Sequence, residues 1–300
     1  MNDVFDHRHV RRAFSRASAS YDAAAQLQHE VENRLLESLD YLDDRVPDVV
    51  VDLGCGPARA ATHMRKRWSR ARVIAIDLAL PMLQQAKPRG WGMLESSLRL
   101  QKPIDRINAD ARALPLADGS VDVLFCNLCL QWVDDLGAVF AGFRRVLKPD
   151  GLLLCSTFGP DTLYELREAF AQADAVPHVS PFASIAEFGD ALMHAGFRNP
   201  VLDRDDFVNG YDDLPALMRE LRAIGATNAL TTRRHTLTGK SRFAKASAAY
   251  DEMRTDDGRL PATWEVIYAQ AWAPQPGAPI REGGYDVVSV PASGIPVRRR

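Results

Sequence analysis

Three acids and an amide, each closing an apolar run, mark where this sequence could do chemistry. Val49-Val50-Val51 leads into Asp52-Leu53-Gly54-Cys55-Gly56, and Arg72 to Ile76 ends on Asp77. Ile104 to Ala109 ends on Asp110, and Val121 to Cys126 ends on Asn127. Lacking side chains, Gly54 and Gly56 let a ligand approach the main chain, while Asp52 adds charge or hydrogen-bond acceptance. An acid about twenty residues beyond such a turn is placed to accept from the two hydroxyls of a ribose, and Asp77 stands at that interval. Asp77 could also cap the helix that begins near Pro81, and the two roles are compatible. Together these residues fit a nucleoside ligand held at the carboxyl ends of parallel strands.

The elements that must position them alternate. β-Branched runs bounded by Gly, Pro and Asp read as buried strands at 49–53, 72–77, 104–109, 121–126 and 152–157. Helical spacing lies between them, for example Leu136, Val139, Phe140, Phe143, Val146 and Leu147, stopped by Lys148-Pro149-Asp150-Gly151. That alternation implies a parallel sheet with helices on both faces. Ahead of it, Phe14 to Leu42 is helical, with Tyr21, Leu27, Val31, Leu35 and Leu39 at mostly four-residue spacing. Ser15 to Asp22 mixes small residues with one aromatic and fits either a lid over a ligand or a loosely packed helix start. Beyond the fifth strand, helices are expected at 162–173, 185–195, 214–224 and 241–253, with strands at 200–209 and 262–272. If those two strands pair, the helices between them interrupt a hairpin and could cap the site. The expected division is a helical lid over 1–44, a main domain over 45–272 with a helical insertion at about 210–260, and a weakly ordered tail over 273–300. Residues 88–103 read as a surface excursion.

Composition narrows the class. Lys plus Arg number 37 against 39 Asp plus Glu, a net charge of −2 that argues against wholesale nucleic-acid binding. No apolar run is long enough to cross a bilayer and the first residues are charged, so a cytoplasmic protein with no membrane partner is expected. Cys55, Cys126, Cys129 and Cys155 sit in or beside apolar segments and are expected to pack in the core. Cys126 and Cys129 have C-x-x-C spacing, but no second pair of ligands follows, so no metal site is expected. His7 and His9 are read as solvated terminal residues.

The turn Asp52 to Gly56, the acid Asp77 and the pair Asp110-Ala111 together resemble the class I S-adenosylmethionine-dependent methyltransferases over about residues 45–157. That resemblance implies a Rossmann-like α/β fold with a mostly parallel seven-stranded sheet, and S-adenosyl-L-methionine as cofactor. It implies that the turn passes the methionine portion, that Asp77 binds the ribose and that Asp110 meets the adenine, with Leu78, Ala111 and Asn127 as further cofactor-binding residues. Ala58 stands where the family usually has a third glycine, and its methyl could crowd the ligand. A dinucleotide enzyme is the rival for this fold, but Pro57 removes a backbone N–H that a pyrophosphate would use.

The flanks resemble a narrower group. Phe14-Ser15-Arg16-Ala17, Ser20-Tyr21-Asp22, Leu130-Gln131-Trp132, Ser156-Thr157-Phe158-Gly159 and Ile224-Gly225-Ala226-Thr227-Asn228 are similar to the malonyl-acyl-carrier-protein O-methyltransferases of biotin synthesis, over nearly the whole chain to Trp272. The resemblance implies methyl esterification of the free carboxylate of a malonyl thioester, carried by acyl-carrier protein or CoA. It places Tyr21 at the active site, with Gln131 and Trp132 as weaker neighbours, Trp132 being read first as helix-to-core packing. Gly159 to Arg167, His178 to Phe182 and Pro261-Ala262-Thr263 also look like a mitochondrial complex I assembly factor of this fold, a family associated with arginine hydroxylation. A non-catalytic S-adenosylmethionine-binding protein is a third reading. Arg219 and Arg222 are candidates to select the substrate carboxylate, and Arg8, Arg11, Arg12 and Arg16 are candidates to dock an acidic carrier, although exposed helical faces carry such residues in any case.

Overall fold

The computed structural model describes residues 3–86, 103–234, 236, 239–275, 280–282 and 285–287. Helices α1 (His7–Ala17), α2 (Tyr21–Ala24) and α3 (Gln26–Glu37) precede β1 (Val49–Leu53), α4 (Arg59–Arg67), β2 (Arg72–Asp77) and α5 (Leu80–Gln85). Next come β3 (Asp105–Asn108), β4 (Val121–Cys126), α6 (Leu136–Val146), β5 (Leu147–Phe158), α7 (Tyr164–Ala173) and α8 (Ile185–His194). The chain continues through β6 (Arg198–Tyr211), α9 (Leu214–Ala223), α10 (Lys240–Asp251) and β7 (Leu260–Trp272), with a separate pair β8 (Ile280–Glu282) and β9 (Tyr285–Val287).

The seven-stranded sheet has the order β3-β2-β1-β4-β5-β7-β6. β1 to β5 are parallel, while β7 runs antiparallel between β5 and β6. This is the α/β architecture expected from the alternation of runs, with the N-terminal helices and the helical insertion α9–α10 before the last strand. Successive residues of each strand face opposite layers. Val50, Phe125, Leu154 and Val266 pack with α3, α7, α9 and α10, whereas Val51, Leu124, Leu153 and Ile267 pack with α6 and α8. A strand buried on both faces must read as a continuous apolar run, which is why 49–53 and 121–126 are legible.

Two local differences follow from capping. The first helix starts at His7 instead of Phe14 because Asp6 caps it, accepting from the His9 N–H at 3.0 Å, and only Val10 and Ala17 of its residues are buried. The expected helix over 14–42 is broken at Ser18–Ser20 and again at Ala25, which puts Tyr21 at a bend. The 88–102 excursion, His235, Leu237 and Thr238, and most of the tail lie outside the described residues.

Candidate active site

β1 delivers the glycine turn to the centre of the sheet's carboxyl edge. Gly54 and Gly56 have φ of +68° and +51°, and Ala58 continues at +59° before α4 begins. The Ala58 methyl is buried with Cys55, Ala61, Val73 and Ala75, and Ala58 does not line the cleft, so the expected crowding of a ligand is not found. Asp77, at the end of β2, accepts from the Gly56 N–H at 2.8 Å and the Ala79 N–H at 2.7 Å, one bond to each oxygen. It therefore fixes both the turn and the start of α5. Burial pushes its carboxyl up to about 6, against the pull of those two N–H groups.

Around this turn lies a cleft of about 770 Å³, counting its open mouth. Gly54, Gly56, Asp77, Leu78, Asp110, Ala111, Trp132 and Tyr21 all line it. Leu78, Met82, Ala111 and Val133 are apolar members of its wall, while Asp110 adds an acceptor. Burial opposes ionisation of Asp110, but Arg112, at 2.7 Å, outweighs it and holds the carboxyl below its ordinary value. Asp77, Glu32 and Asp22 all act on the Tyr21 phenol, Glu32 while paired with Arg59 and Asp22 while 3.5 Å from His29. Burial first, then those charges, raise the phenol's pKa, so Tyr21 is a neutral hydroxyl at any physiological pH. A methyl added at Gly56 would stand 3.7 Å from Tyr21 Cε1, which puts that ring over the turn.

A second pocket of about 710 Å³ adjoins the first and shares Phe14, Tyr21, Leu128 and Trp132 with it. Its far walls are Phe158, Phe182, Leu163, Leu166 and Trp264, with Gln28, Gln131, His178, Ser180, Thr227 and Asn228 as polar points. None of the residues lining it is a lysine or arginine. Leu128 holds a left-handed φ of +45°, fastened by Ser156, whose Oγ and carbonyl accept from its N–H at 3.0 and 3.2 Å. Strained backbone of this kind collects at functional sites.

Several expected residues stand elsewhere. Asp52 is buried off the cleft, where it accepts from the Ala61 N–H at 2.8 Å in the first turn of α4, and desolvation followed by Glu32 raises its pKa well above the ordinary value. Asn127 does not line the cleft either: its amide donates to Gln28 O at 3.1 Å and accepts from Ser156 Oγ at 2.8 Å, tying α3 to β4 and β5. Gln131 lines the second pocket and not the first, donating to Leu128 O at 2.7 Å. Trp132 both packs and faces the cavities, with edge contacts to Phe5 at 5.9 Å and Phe14 at 5.6 Å. Arg219 and Arg222 are exposed and line neither pocket, which removes them as carboxylate selectors. Cys129 is not core but cleft wall, tucked under Gly54, while Cys55, Cys126 and Cys155 are buried.

The histidines read as solvated are structural. His7 Nε2 lies 2.7 Å from Asp134 Oδ2, and Asp134 Oδ1 accepts from the N–H groups of Val4 and Phe5, both at 3.1 Å. His9 Nε2 lies 3.2 Å from Thr227 Oγ1, and Arg233 pairs with Asp6 at 2.8 Å. Phe5 also bridges Leu230. The N-terminal segment is thereby sewn to the loop after β4 on one side and to the inserted segment on the other. Asp3, His7 and Asp134 are the one group among the described residues whose ligand atoms cluster closely enough for a metal ion, and they form this clasp.

A sheet of this order, a glycine turn after its first strand and an acid after its second define a class I S-adenosylmethionine-dependent methyltransferase. Residues 51–155 match a family model described as a methyltransferase domain. The YcgJ protein from Bacillus subtilis superposes with a TM-score of 0.57 at 15% identity, over 82% of this chain and 99% of that one. A putative methyltransferase from Bacillus halodurans superposes at 0.55 and 16%, over 80% and 99%. Among curated proteins, the malonyl-[acyl-carrier protein] O-methyltransferase of Xylella fastidiosa is 61% identical over 100% of this chain and 99% of its own length. That of Nitrosospira multiformis is 43% identical over 90% of each. The chain belongs to the malonyl-[acyl-carrier protein] O-methyltransferase family.

Sequence reasoning missed Phe14, Leu128, Cys129 and Trp264 as walls of the two cavities. Phe158 and Trp264 come together because β5 and β7 pair antiparallel, with Phe158 opposite Val266, and their rings lie 5.3 Å apart. No local pattern announces such a pairing.

Proposed function

We propose that the protein methylates the free carboxylate of a malonyl thioester on acyl-carrier protein, with S-adenosylmethionine as donor, as an early step of biotin synthesis. The observation that carries this reading is the shared wall: the nucleoside cleft and the second pocket, which no lysine or arginine lines, meet at Phe14, Tyr21, Leu128 and Trp132. When bound, S-adenosylmethionine supplies an electrophilic methyl group, which a carboxylate oxygen takes while sulfur keeps the electron pair. Asp77 would hold the ribose, Leu78, Asp110 and Ala111 the adenine, and the turn at Gly54 and Gly56 the methionine portion.

A carboxylate is ionised at neutral pH, so no general base is needed. The reaction destroys a positive and a negative charge together, so it is favoured by an environment that solvates ions poorly. A pocket walled by Phe158, Phe182, Leu163 and Trp264 provides that environment, and a lysine or arginine there would stabilise the reactant carboxylate and slow attack. Tyr21, neutral and seated over the turn, orients the attacking oxygen from its hydroxyl. Tyr21→Phe is therefore expected to leave the dissociation constant of S-adenosylhomocysteine within about twofold and to lower kcat by about tenfold, the effect of one well-placed hydrogen bond. Unchanged kcat in a steady-state assay would discard that role.

Residues 1–44 would cover the site, and the insertion at about 210–260 within the main domain 45–272 would cap the acceptor pocket through Leu221, Ile224, Ala226, Thr227 and Asn228. The exposed arginines Arg8, Arg11, Arg12 and Arg16 on α1 fit an acidic carrier surface, Arg11 also lining the cleft, and the protein would act in the cytoplasm. None of the described helices is long and apolar enough to cross a membrane. The test is incubation with labelled S-adenosylmethionine and, separately, malonyl-acyl-carrier protein, malonyl-CoA and an arginine-bearing protein. Label as a base-labile ester on the carrier-bound malonyl group is expected, with malonyl-CoA the weaker acceptor. Cofactor binding without transfer to either thioester would overturn the reading in favour of a binding protein, and label-free oxidation of arginine would favour the assembly-factor reading.

A further inference from the structure

One of the residues lining the second pocket carries a hydrogen-bond donor without a partner in the protein. Trp264 projects from β7 among Phe158, Phe182 and Leu163, is 3% exposed, and its indole Nε1 is buried with no partner. An indole N–H can only donate, and a buried donor left unpaired is rare enough to ask what pairs with it. Gln131 Oε1, in the same pocket, is the other buried polar atom there without a partner. No lysine or arginine lines the pocket, and the one ionisable imidazole in its wall, His178, has Nε2 3.4 Å from Asp174 Oδ2.

We infer that the Trp264 Nε1–H donates to the thioester carbonyl oxygen of the acceptor, making Trp264 the residue that distinguishes an acyl thioester from other carboxylic acids. The assignment rests on the functional reading above and specifies its substrate contact. Position decides which oxygen is met. The carboxylate must lie where the two cavities join, at Tyr21 and Leu128, because the methyl group arrives from the cleft. Trp264 lines only the second pocket and not the cleft, so it faces the end of the acyl group away from the methyl. In a malonyl thioester the group one methylene away from the carboxylate is the thioester carbonyl. A site built to donate to an oxygen rejects an analogue lacking it, because the buried donor is then left unpaired.

The test compares two acids carried on the same acyl-carrier protein: the malonyl thioester, and the 2-carboxyethyl thioether in which the carbonyl is replaced by a methylene. Both offer the same carboxylate. Wild-type protein is expected to prefer the thioester by about tenfold or more in kcat/KM. Trp264→Phe, which keeps an aromatic ring without the N–H, is expected to lower kcat/KM for the thioester by about tenfold and to leave the thioether unchanged. S-adenosylhomocysteine affinity by calorimetry should be retained. Equal use of the two acids by wild type would overturn the assignment, as would an equal loss on both in a variant that still binds S-adenosylhomocysteine. If Trp264→Phe does not fold, replacing Trp264 by benzothienylalanine, which exchanges only N–H for sulfur, reads the same ratio. Failure of wild type to methylate either acid is a different result and counts against the functional reading itself.

Discussion

Replacing Asp77 by alanine is expected to weaken S-adenosylmethionine binding by about a hundredfold, roughly 3 kcal/mol, measured by calorimetry. Two losses combine. The ribose hydroxyls would lose a charge-assisted acceptor, and the Gly56 N–H, held at 2.8 Å by the same carboxylate, would be released so that the turn no longer has a fixed shape. A loss below about threefold would remove the ribose assignment. The same residue sets a pH dependence with a definite sign. Its carboxyl is pushed up by burial to about 6 from 3.8, so below pH 6 it is protonated in the folded protein and a poorer acceptor. Affinity should fall as pH falls through 6, by about tenfold at pH 5. Asp77→Asn should be weaker throughout and flat over the same range. The stability linkage has the opposite direction: the raised value favours folding below about pH 4, and that advantage is lost as pH rises through 6.

Gly54→Ala is expected to damage both folding and cofactor binding. The position has φ of +68°, and an added methyl would stand 2.6 Å from Cys129 Cβ and 2.7 Å from its sulfur. Left-handed strain costs about 1 kcal/mol, and the overlap about 1–3 kcal/mol more, because Cys129 belongs to a wall that cannot retreat without closing the cleft. The expected result is a loss of about 2–4 kcal/mol in denaturant unfolding together with loss of measurable cofactor binding. Cys129→Gly in the same chain should recover part of the stability, since it removes the atom struck. Stability unchanged in the single variant would show that the turn has another conformation available.

These two positions show what a sequence exposes and what it hides. Gly54 and Asp77 are legible because backbone approach and ribose recognition demand particular residue types at a particular interval. The strands are legible because burial on both faces leaves no polar alternation to confuse them. Asp52 and Asn127 read identically to Asp77 along the chain, each a polar group closing a strand, yet they turn to Ala61, Gln28 and Ser156. Rotation of a side chain about a strand end is settled by neighbours from other elements, and that information is not local. Leu128 hides for a different reason: nothing in a leucine announces a left-handed backbone, and its φ of +45° is imposed by Ser156 on β5. The early start of α1 was concealed because its apolar face amounts to little more than Val10, Phe14 and Ala17 among arginines. Trp264 needed the antiparallel return of β7, a topological fact assembled from both halves of the chain.

The stitching of the N-terminal segment has a kinetic consequence. Phe14 on α1 faces both chambers, and the segment is pinned at one margin by Asp134 and at the other by Arg233, Thr227 and the Phe5–Leu230 bridge. Any opening of one cavity along this segment would part contacts that also border the other, so access to the two cavities would be coupled through the same few polar stitches.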